Sequence, residues 1–135
     1  ERMIASIPRE TLGQRWQELI GPFYSANDIA AWRGVSRQNI HKLRSAGKLL
    51  AARPSNEKTL LFPAWQFGPE GQELPHLRDV VEQLGEAAPD EWAQALWLNQ
   101  RTDRFGGRSA ADLLKAGEVE HVLAAARSDA AGMAA

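Results

Sequence analysis

The sequence predicts a mostly α protein made of two small parts, the first of which ends in a short β-hairpin. Apolar residues recur every three or four positions in several stretches separated by glycines, which is typical of short amphipathic helices. One segment departs from this period, because apolar runs at 49–52 and 59–62 flank a stretch rich in turn-forming residues. The 135 residues are enough for one domain or two small ones.

Two helices are predicted at the start of the first part. The first covers residues 8–20, where apolar residues recur at helical spacing until a Gly-Pro pair ends the helix. The second begins after Ser25, whose hydroxyl can cap a free backbone N–H while Asp28 supplies the acid of a capping box. Gly34 ends this second helix.

A third helix follows after a very short turn. Ser36 can cap it, and it runs to about Ala46 before Gly47 ends it. Two short helices joined by a tight, glycine-containing turn form a helix-turn-helix pattern. A hairpin placed directly after the second of these helices is a wing, so residues 8–67 are predicted to form a winged helix-turn-helix domain.

The second part, residues 74–128, is predicted to be a small helical domain. Its predicted helices cover residues 75–84 and 90–98, a short segment after Ser109, and residues 118–127. Ser109 and Asp112 repeat the capping-box spacing. The tail at 128–135 consists of small residues, and we expect it to be frayed.

The large aromatic residues fall at apolar positions or beside proline turns. They are Trp16, Trp32, Trp65, Phe67, Trp92 and Trp97. We expect them to pack in the core. The alternative, an exposed platform for stacking bases, needs an arrangement that a sequence does not reveal.

Basic residues are concentrated in one segment of an otherwise acidic chain. Between Arg33 and Lys58 lie seven Lys and Arg residues and one acid, Glu57, which gives a local charge of +6. The rest of the chain carries −7, so the overall charge is −1. Such an island is typical of a small element that binds a polyanion, although a solvated basic face would have the same charge.

The third helix is predicted to have one face without carboxylates. With Ile40 and Leu43 turned towards the core, a rotation of about 100° per residue points three polar residues to solvent and leaves three others at the sides. The outward residues are Gln38, Lys42 and Ser45, His41 lies beside them, and Arg37 and Arg44 lie at the flanks. Exposed helices usually mix acids with bases, so this composition favours a surface that meets phosphates.

We therefore predict that the third helix enters the major groove of double-stranded DNA. The N-terminal part of such a helix approaches base edges, where arginine can bond guanine, and glutamine or asparagine can bond adenine. The predicted base contacts are Arg37, Gln38 and His41, with Asn39 as an alternative to Gln38 for adenine. Ser36 at the helix start is also among the predicted DNA-binding residues. The predicted phosphate contacts are Lys42, Arg44 and Lys48, and the wing residues that would reach the adjacent backbone or minor groove are Arg53, Ser55, Asn56 and Lys58.

The second part resembles the C-terminal domain of the Xre/MbcA/ParS class of antitoxins. The resemblance covers residues 74–128 and rests on WLN at 97–99, FGGRS at 105–109, ADLLKAGE at 111–118 and VL at 122–123. The sequence departs from the family pattern at Ala110, where proline is usual, and at Phe105, where leucine is common. Neither change removes the capped helix.

This resemblance implies a repressor that dimerises and covers the active site of an NAD-degrading RES-domain toxin. The residues that match the signature are Arg108, Ser109, Asp112, Lys115, Gly117 and Glu118. All of these except Gly117 are candidate toxin contacts. A purely structural role is the alternative, with Ser109 as a cap and Arg108 in a salt bridge to Asp112 or Glu118.

The first part is similar to the winged helices of MerR- and excisionase-type DNA-binding proteins. The similar stretch is YSANDIAAWRGVSRQNIHKLRSAGKL, from Tyr24 to Leu49. The two-part layout as a whole is similar to a group of actinobacterial winged-helix DNA-binding proteins that Ser/Thr kinases regulate.

Enzymatic function is not expected. The three histidines, His41, His76 and His121, are far apart and none has a metal-ligand spacing. The chain contains no cysteine, so a disulfide framework and a thiolate metal site are excluded. We expect no catalytic residue, metal or cofactor. Without an apolar run of about 20 residues or a signal-peptide pattern, we expect no membrane association and a cytoplasmic, nucleoid-associated protein.

The predicted function is sequence-specific binding of double-stranded DNA for transcriptional control, by an antitoxin-like repressor that also binds a RES-type toxin. A homodimer is expected, because one short recognition helix reads few base pairs. Two alternatives stay open. One is a stand-alone winged-helix regulator without a toxin partner, and the other is an interaction adaptor whose basic helix binds an acidic protein.

Overall fold

The computed structural model describes residues 21–53 and 60–134, with side chains up to residue 132. Within these ranges the protein is mostly α. The helices are α1 (Ala26–Arg33), α2 (Arg37–Ser45), α3 (Leu77–Leu84), α4 (Glu91–Asn99), α5 (Ala110–Lys115) and α6 (Val119–Ala134). The strands are β1 (Phe23–Ser25), β2 (Leu61–Pro63), β3 (Arg101–Thr102) and β4 (Arg108–Ser109). No helix in the described ranges has both the length and the apolar character needed to cross a membrane.

The strands β1 and β2 form a small antiparallel sheet that brings the start of α1 next to the chain after the predicted hairpin. Tyr24 lies opposite Phe62 in this sheet. Ala52 and Leu61 exchange two backbone hydrogen bonds of 2.8 Å, so the two arms of the hairpin lie side by side. The base of the hairpin is therefore formed, whereas positions 54–58 of its predicted tip lie outside the described residues. The predicted helix at 8–20 lies outside them as well.

The helix ends in the first part follow the predicted caps. The Ser25 hydroxyl accepts a hydrogen bond from the Asp28 N–H, and the Asp28 carboxylate accepts one from the Ser25 N–H, both at 3.1 Å. Gly34 ends α1 in the left-handed region, with φ +70°, which glycine adopts without steric cost. The capping box that the sequence predicts here is confirmed.

Two groups of buried apolar residues hold the fold together. The smaller group packs α1 and α2 against the β1–β2 sheet, and its largest fully buried members are Ile29, Ile40, Leu49 and Phe62. The larger group joins α3, α4, α5 and α6. Leu50 and Ala52, which follow α2 in the chain, belong to this larger group. The segment that leads into the hairpin therefore takes part in both cores.

Gln66 connects the two arms of this region from inside the protein. Its side chain is completely buried. The Gln66 Oε1 accepts a hydrogen bond from the Leu50 N–H at 2.8 Å, and its Nε2 donates to the Leu50 and Pro63 carbonyls at 2.7 and 3.1 Å. Because a buried amide is costly unless bonded, these contacts fix the position of the backbone around Leu50.

Three predictions for the second part need correction. The first helix there begins at Leu77 rather than at residue 75, because His76 adopts a left-handed conformation with φ 62°. No helix or strand is predicted between residue 98 and the helix after Ser109, yet this segment contains the β3–β4 pair. The last helix, α6, continues to Ala134 rather than ending at 127, so the tail is helical instead of frayed.

Candidate nucleic-acid interface

The helix α2 is fixed by its cap and by one buried side chain. The Ser36 hydroxyl accepts a hydrogen bond from the Asn39 N–H at 3.0 Å, which satisfies one of the free donors of the first turn. Ile40 is fully buried, and Leu43 packs half-buried against the same core. The predicted helix and its inward face are thus confirmed, and Ile40 sets which residues point to solvent.

The opposite face of α2 is exposed and carries no carboxylate. Its exposed residues are Arg37, Gln38, Asn39, Lys42 and Ser45, and Ser36 is exposed at the cap. His41 is half-buried, because its ring lies 6.4 Å from the ring of Phe62. Gln38 thus lies at the middle of the exposed face. Arg37 and Asn39, two residues apart on the helix, lie at its opposite flanks, and His41 is partly covered.

Exposed cations extend this surface at both of its ends. Lys48 lies just beyond the end of α2 and is exposed, and Arg53 is exposed at the base of the hairpin. Within residues 21–53 and 60–132, neither Arg37, Lys42 nor Lys48 forms an ion pair. The predicted wing contacts Ser55, Asn56 and Lys58 lie outside the described residues. The open surface thus combines hydrogen-bonding side chains with positive charge.

Arg44 differs from its prediction as a phosphate contact. Its Nη2 and Nε donate to the two carboxylate oxygens of Glu91 at 2.6 and 3.2 Å, in a paired arrangement. The same carboxylate accepts a hydrogen bond from the Ala51 N–H at 3.0 Å. Arg44 therefore joins α2 to the start of α4 instead of facing a ligand, and we remove it from the candidate interface.

Arg33 is the second cation of the basic segment that an acid outside this segment neutralises. Its Nη1 lies 3.0 Å from the Glu73 carboxylate and donates to the Gly71 carbonyl at 3.1 Å. The charge island predicted from the sequence is therefore smaller in the folded protein. What remains of it lies on the outward face of α2 and around the hairpin base.

Trp32 is exposed, contrary to the prediction that the tryptophans pack in the core. Its side chain keeps 42% of its accessible surface, although its ring lies 5.5 Å from Tyr24 and 6.1 Å from Phe67. The neighbouring Val35 is exposed too. Trp65, Trp92 and Trp97 are half-buried against the larger core, and Trp16 lies outside the described residues. Trp32 therefore lies at the edge of the smaller core, since Phe67 belongs to that core and Tyr24 packs against it.

The predicted toxin contacts divide into exposed residues and residues occupied by the fold. Ser109 is 4% exposed and forms a capping box with Asp112, with both hydrogen bonds at 3.1 Å. The Ser109 N–H donates to the Asp112 carboxylate and thereby lowers the pKa of Asp112. Arg108 and Glu118 are exposed and paired at 3.2 Å, and Lys115 is exposed. A buried cap cannot touch a partner, so Ser109 is corrected to a structural residue.

A network around Asp129 was missed by the sequence analysis. The Asp129 carboxylate accepts hydrogen bonds from the Trp97 indole N–H at 2.7 Å and from the Arg104 guanidinium at 2.7 and 3.0 Å. The Arg104 bonds hold the pKa of Asp129 below its usual value, and Asp129 raises the pKa of Arg104 in return. Arg104 also lies over the Trp97 and Phe105 rings. These contacts explain why α6 does not end at residue 127.

Comparison with known proteins gives one structural similarity. The sequence matches no protein-family model and no curated protein. The NMR structure of Rv2175c is similar in fold, with a TM-score of 0.68. The two chains are 21% identical over 81% of each. At this identity the similarity establishes the fold and leaves function to be argued from the residues.

Proposed function

We propose that this protein binds double-stranded DNA in a sequence-specific way and regulates transcription. The β1–β2 sheet with its hairpin, and the pair α1–α2, would form a winged helix-turn-helix with α2 as the recognition helix. The observation that carries the proposal is the outward face of α2, which offers hydrogen-bonding and cationic side chains and no acid. Buried Ile40 holds that face towards solvent.

The roles of the exposed residues follow from their chemistry. Gln38 and Asn39 lie near the start of α2, where a docked helix approaches base edges, and each can make paired hydrogen bonds to adenine. Lys42 and Lys48 are farther along, and their point charges suit phosphates. Because Arg44 is held by Glu91, fewer residues are available to contact phosphates than the sequence alone predicts.

The test measures affinity for DNA as a function of salt. A preferred duplex is selected from a random-sequence library, and its affinity is followed by fluorescence anisotropy. The logarithm of the association constant should fall linearly with the logarithm of the salt concentration, with a slope of about 0.9 per phosphate contact. A chain that binds no duplex at low salt would refute the proposal and favour the adaptor with an acidic protein partner.

Two substitutions on α2 distinguish contacts to bases from contacts to phosphates. Gln38→Ala should relax the preference at one base pair by about 1–3 kcal/mol, because it removes a paired contact. Lys42→Ala should weaken all sequences alike and reduce the salt slope by about 1. The matched control is Arg127→Ala, which removes an exposed cation from α6. It should leave affinity and slope unchanged.

A toxin partner is a second proposal, supported by the sequence signature and by the exposure of part of it. Arg108, Lys115 and Glu118 are exposed and lie near the two ends of α5, so one partner could contact them together. Co-expression with the product of a neighbouring gene for a RES-type protein tests this. Capture of that protein by the parent chain, weakened at least 10-fold in an Arg108→Ala and Lys115→Ala double variant, would support the antitoxin role. Its absence would favour a stand-alone regulator.

A further inference from the structure

A small cleft opens beside the proposed recognition helix. Gln38 and Asn39, the residues proposed to contact bases, do not line it. It lies between the first turn of α1, the first half of α2 and the base of the hairpin, and its volume is about 230 Å³. We call it the α1–α2 cleft and define it by Asn27, Arg37, His41, Arg53 and Leu60. Small-molecule sites begin at about 300 Å³, so this cleft suits a small chemical group.

The polar side chains around the α1–α2 cleft are mostly hydrogen-bond donors. Arg37 and His41 are four residues apart, one turn on the same side of α2, and Arg53 brings a second guanidinium from the hairpin base. Among the described residues, no Asp or Glu lines the cleft. The acid nearest to it in the sequence, Asp28, is engaged by the Ser25 N–H at 3.1 Å. The cleft is therefore built for an anion.

The shape of the cleft distinguishes a phosphate from a base. Base edges are flat and are reached by side chains that project into a groove, as exposed Gln38 and Lys42 do. A concavity between two arginines instead surrounds its ligand, and each guanidinium fork matches two oxygens of a phosphate. Arg37 thus has a geometric reason to contact the DNA backbone.

We propose that the α1–α2 cleft seats one backbone phosphate of the bound duplex. Arg37 and Arg53 hold its oxygens, and His41 adds a hydrogen bond. This inference rests on the DNA-binding function proposed above and changes the role of Arg37, which positions the helix on the duplex and reads no base.

The experiment removes the charge of single phosphates. The selected duplex is prepared in versions that each carry one neutral methylphosphonate, and anisotropy gives the affinity of the parent chain for each. At the seated position the parent should lose about 10- to 100-fold. Arg37→Ala should lose part of this affinity on unmodified DNA. Neutralising the seated phosphate should then cost the variant less than it costs the parent, because the Arg37 contact is already absent. Its base preferences should be those of the parent.

The matched control is Lys42→Ala, which removes one charge from the same helix outside the α1–α2 cleft. The methylphosphonate at the seated position should lower the affinity of Lys42→Ala by the same factor as it lowers the affinity of the parent. Arg37 is exposed, so Arg37→Ala should melt at the temperature of the parent.

Two results would overturn the inference while leaving DNA binding intact. One is that each methylphosphonate lowers the affinity of Arg37→Ala by the same factor as it lowers the affinity of the parent, at every position. The other is that Arg37→Ala binds with a relaxed base preference. If the parent chain binds no duplex, both the DNA-binding function and the phosphate site in the α1–α2 cleft are refuted.

Discussion

Replacing Glu91 with alanine tests whether the second part holds α2 in place. The change removes two hydrogen bonds from Arg44, at 2.6 and 3.2 Å, and one from the Ala51 N–H at 3.0 Å. Only about a third of either charged side chain is exposed, 34% for Arg44 and 31% for Glu91. The Arg44 guanidinium then loses its partner in a partly desolvated position.

The magnitude lies between two familiar limits. Fully exposed ion pairs contribute about 0.2–1 kcal/mol, and a hydrogen bond to a charged group contributes about 1.5–3 kcal/mol. For a pair that is about one-third exposed and has an additional backbone bond, we expect a loss of about 2 kcal/mol in the free energy of unfolding. With an unfolding entropy of about 2.1 cal/mol/K per residue, the melting temperature should fall by about 7 °C.

Thermal unfolding followed by circular dichroism measures this shift. The matched control is Glu82→Ala, which breaks the exposed pair of Glu82 with Arg78 at 3.2 Å on α3. It should cost about 0.3–0.5 kcal/mol, or 1–2 °C. A double-mutant cycle with Arg44→Ala should give a coupling of about 1 kcal/mol or more between Arg44 and Glu91. If Glu91→Ala melts at the temperature of the control, the Arg44–Glu91 pair contributes no more stability than an exposed ion pair, and it does not hold α2 in place.

Three further predictions concern stability. Ser36→Ala should cost about 1 kcal/mol by removing the cap of α2, and a urea midpoint that stays at the parent value would contradict the role of the cap. Gln66→Ala should cost about 2–5 kcal/mol, because the buried N–H and C=O of Leu50 lose their partners; a loss below 1 kcal/mol in the same titration would argue against this. The pKa of Asp129 is lowered by Arg104, so the stability from this contact is present above the unfolded pKa of about 3.9 and is lost as pH falls through the lower folded pKa. Asp129→Asn should flatten the acid limb of the stability–pH curve, and equal acid limbs in parent and variant would disprove the assignment.

Features that depend on residues close in sequence could be predicted. The caps at Ser25 and Ser36 act across three residues, so the local sequence is sufficient to place the starts of α1 and α2. The outward face of α2 could be predicted too, because Ile40 and Leu43 are the apolar residues of a strongly polar helix.

Features that depend on distant partners could not be predicted. Arg44 and Glu91 are 47 residues apart, and nothing in the basic segment distinguishes Arg44 from the exposed Arg37. The length of α6 was missed for the same reason, since Asp129 is held by Trp97 and Arg104 from other elements. Charge and periodicity count residues by type, whereas a salt bridge or an indole hydrogen bond depends on which residues the fold brings together.

The participation of Leu50 in the core of the second part has a consequence for transplanting α2 into other proteins. Only a few residues separate α2 from Leu50, so a graft that ends after α2 leaves the hairpin without its anchor, and one that includes Leu50 needs a host that can cover it. Gln66 adds a second requirement, because its amide must meet the Leu50 backbone in the host as well. A chimera that tests the outward face of α2 should therefore keep the whole second part and replace only the outward residues of that helix.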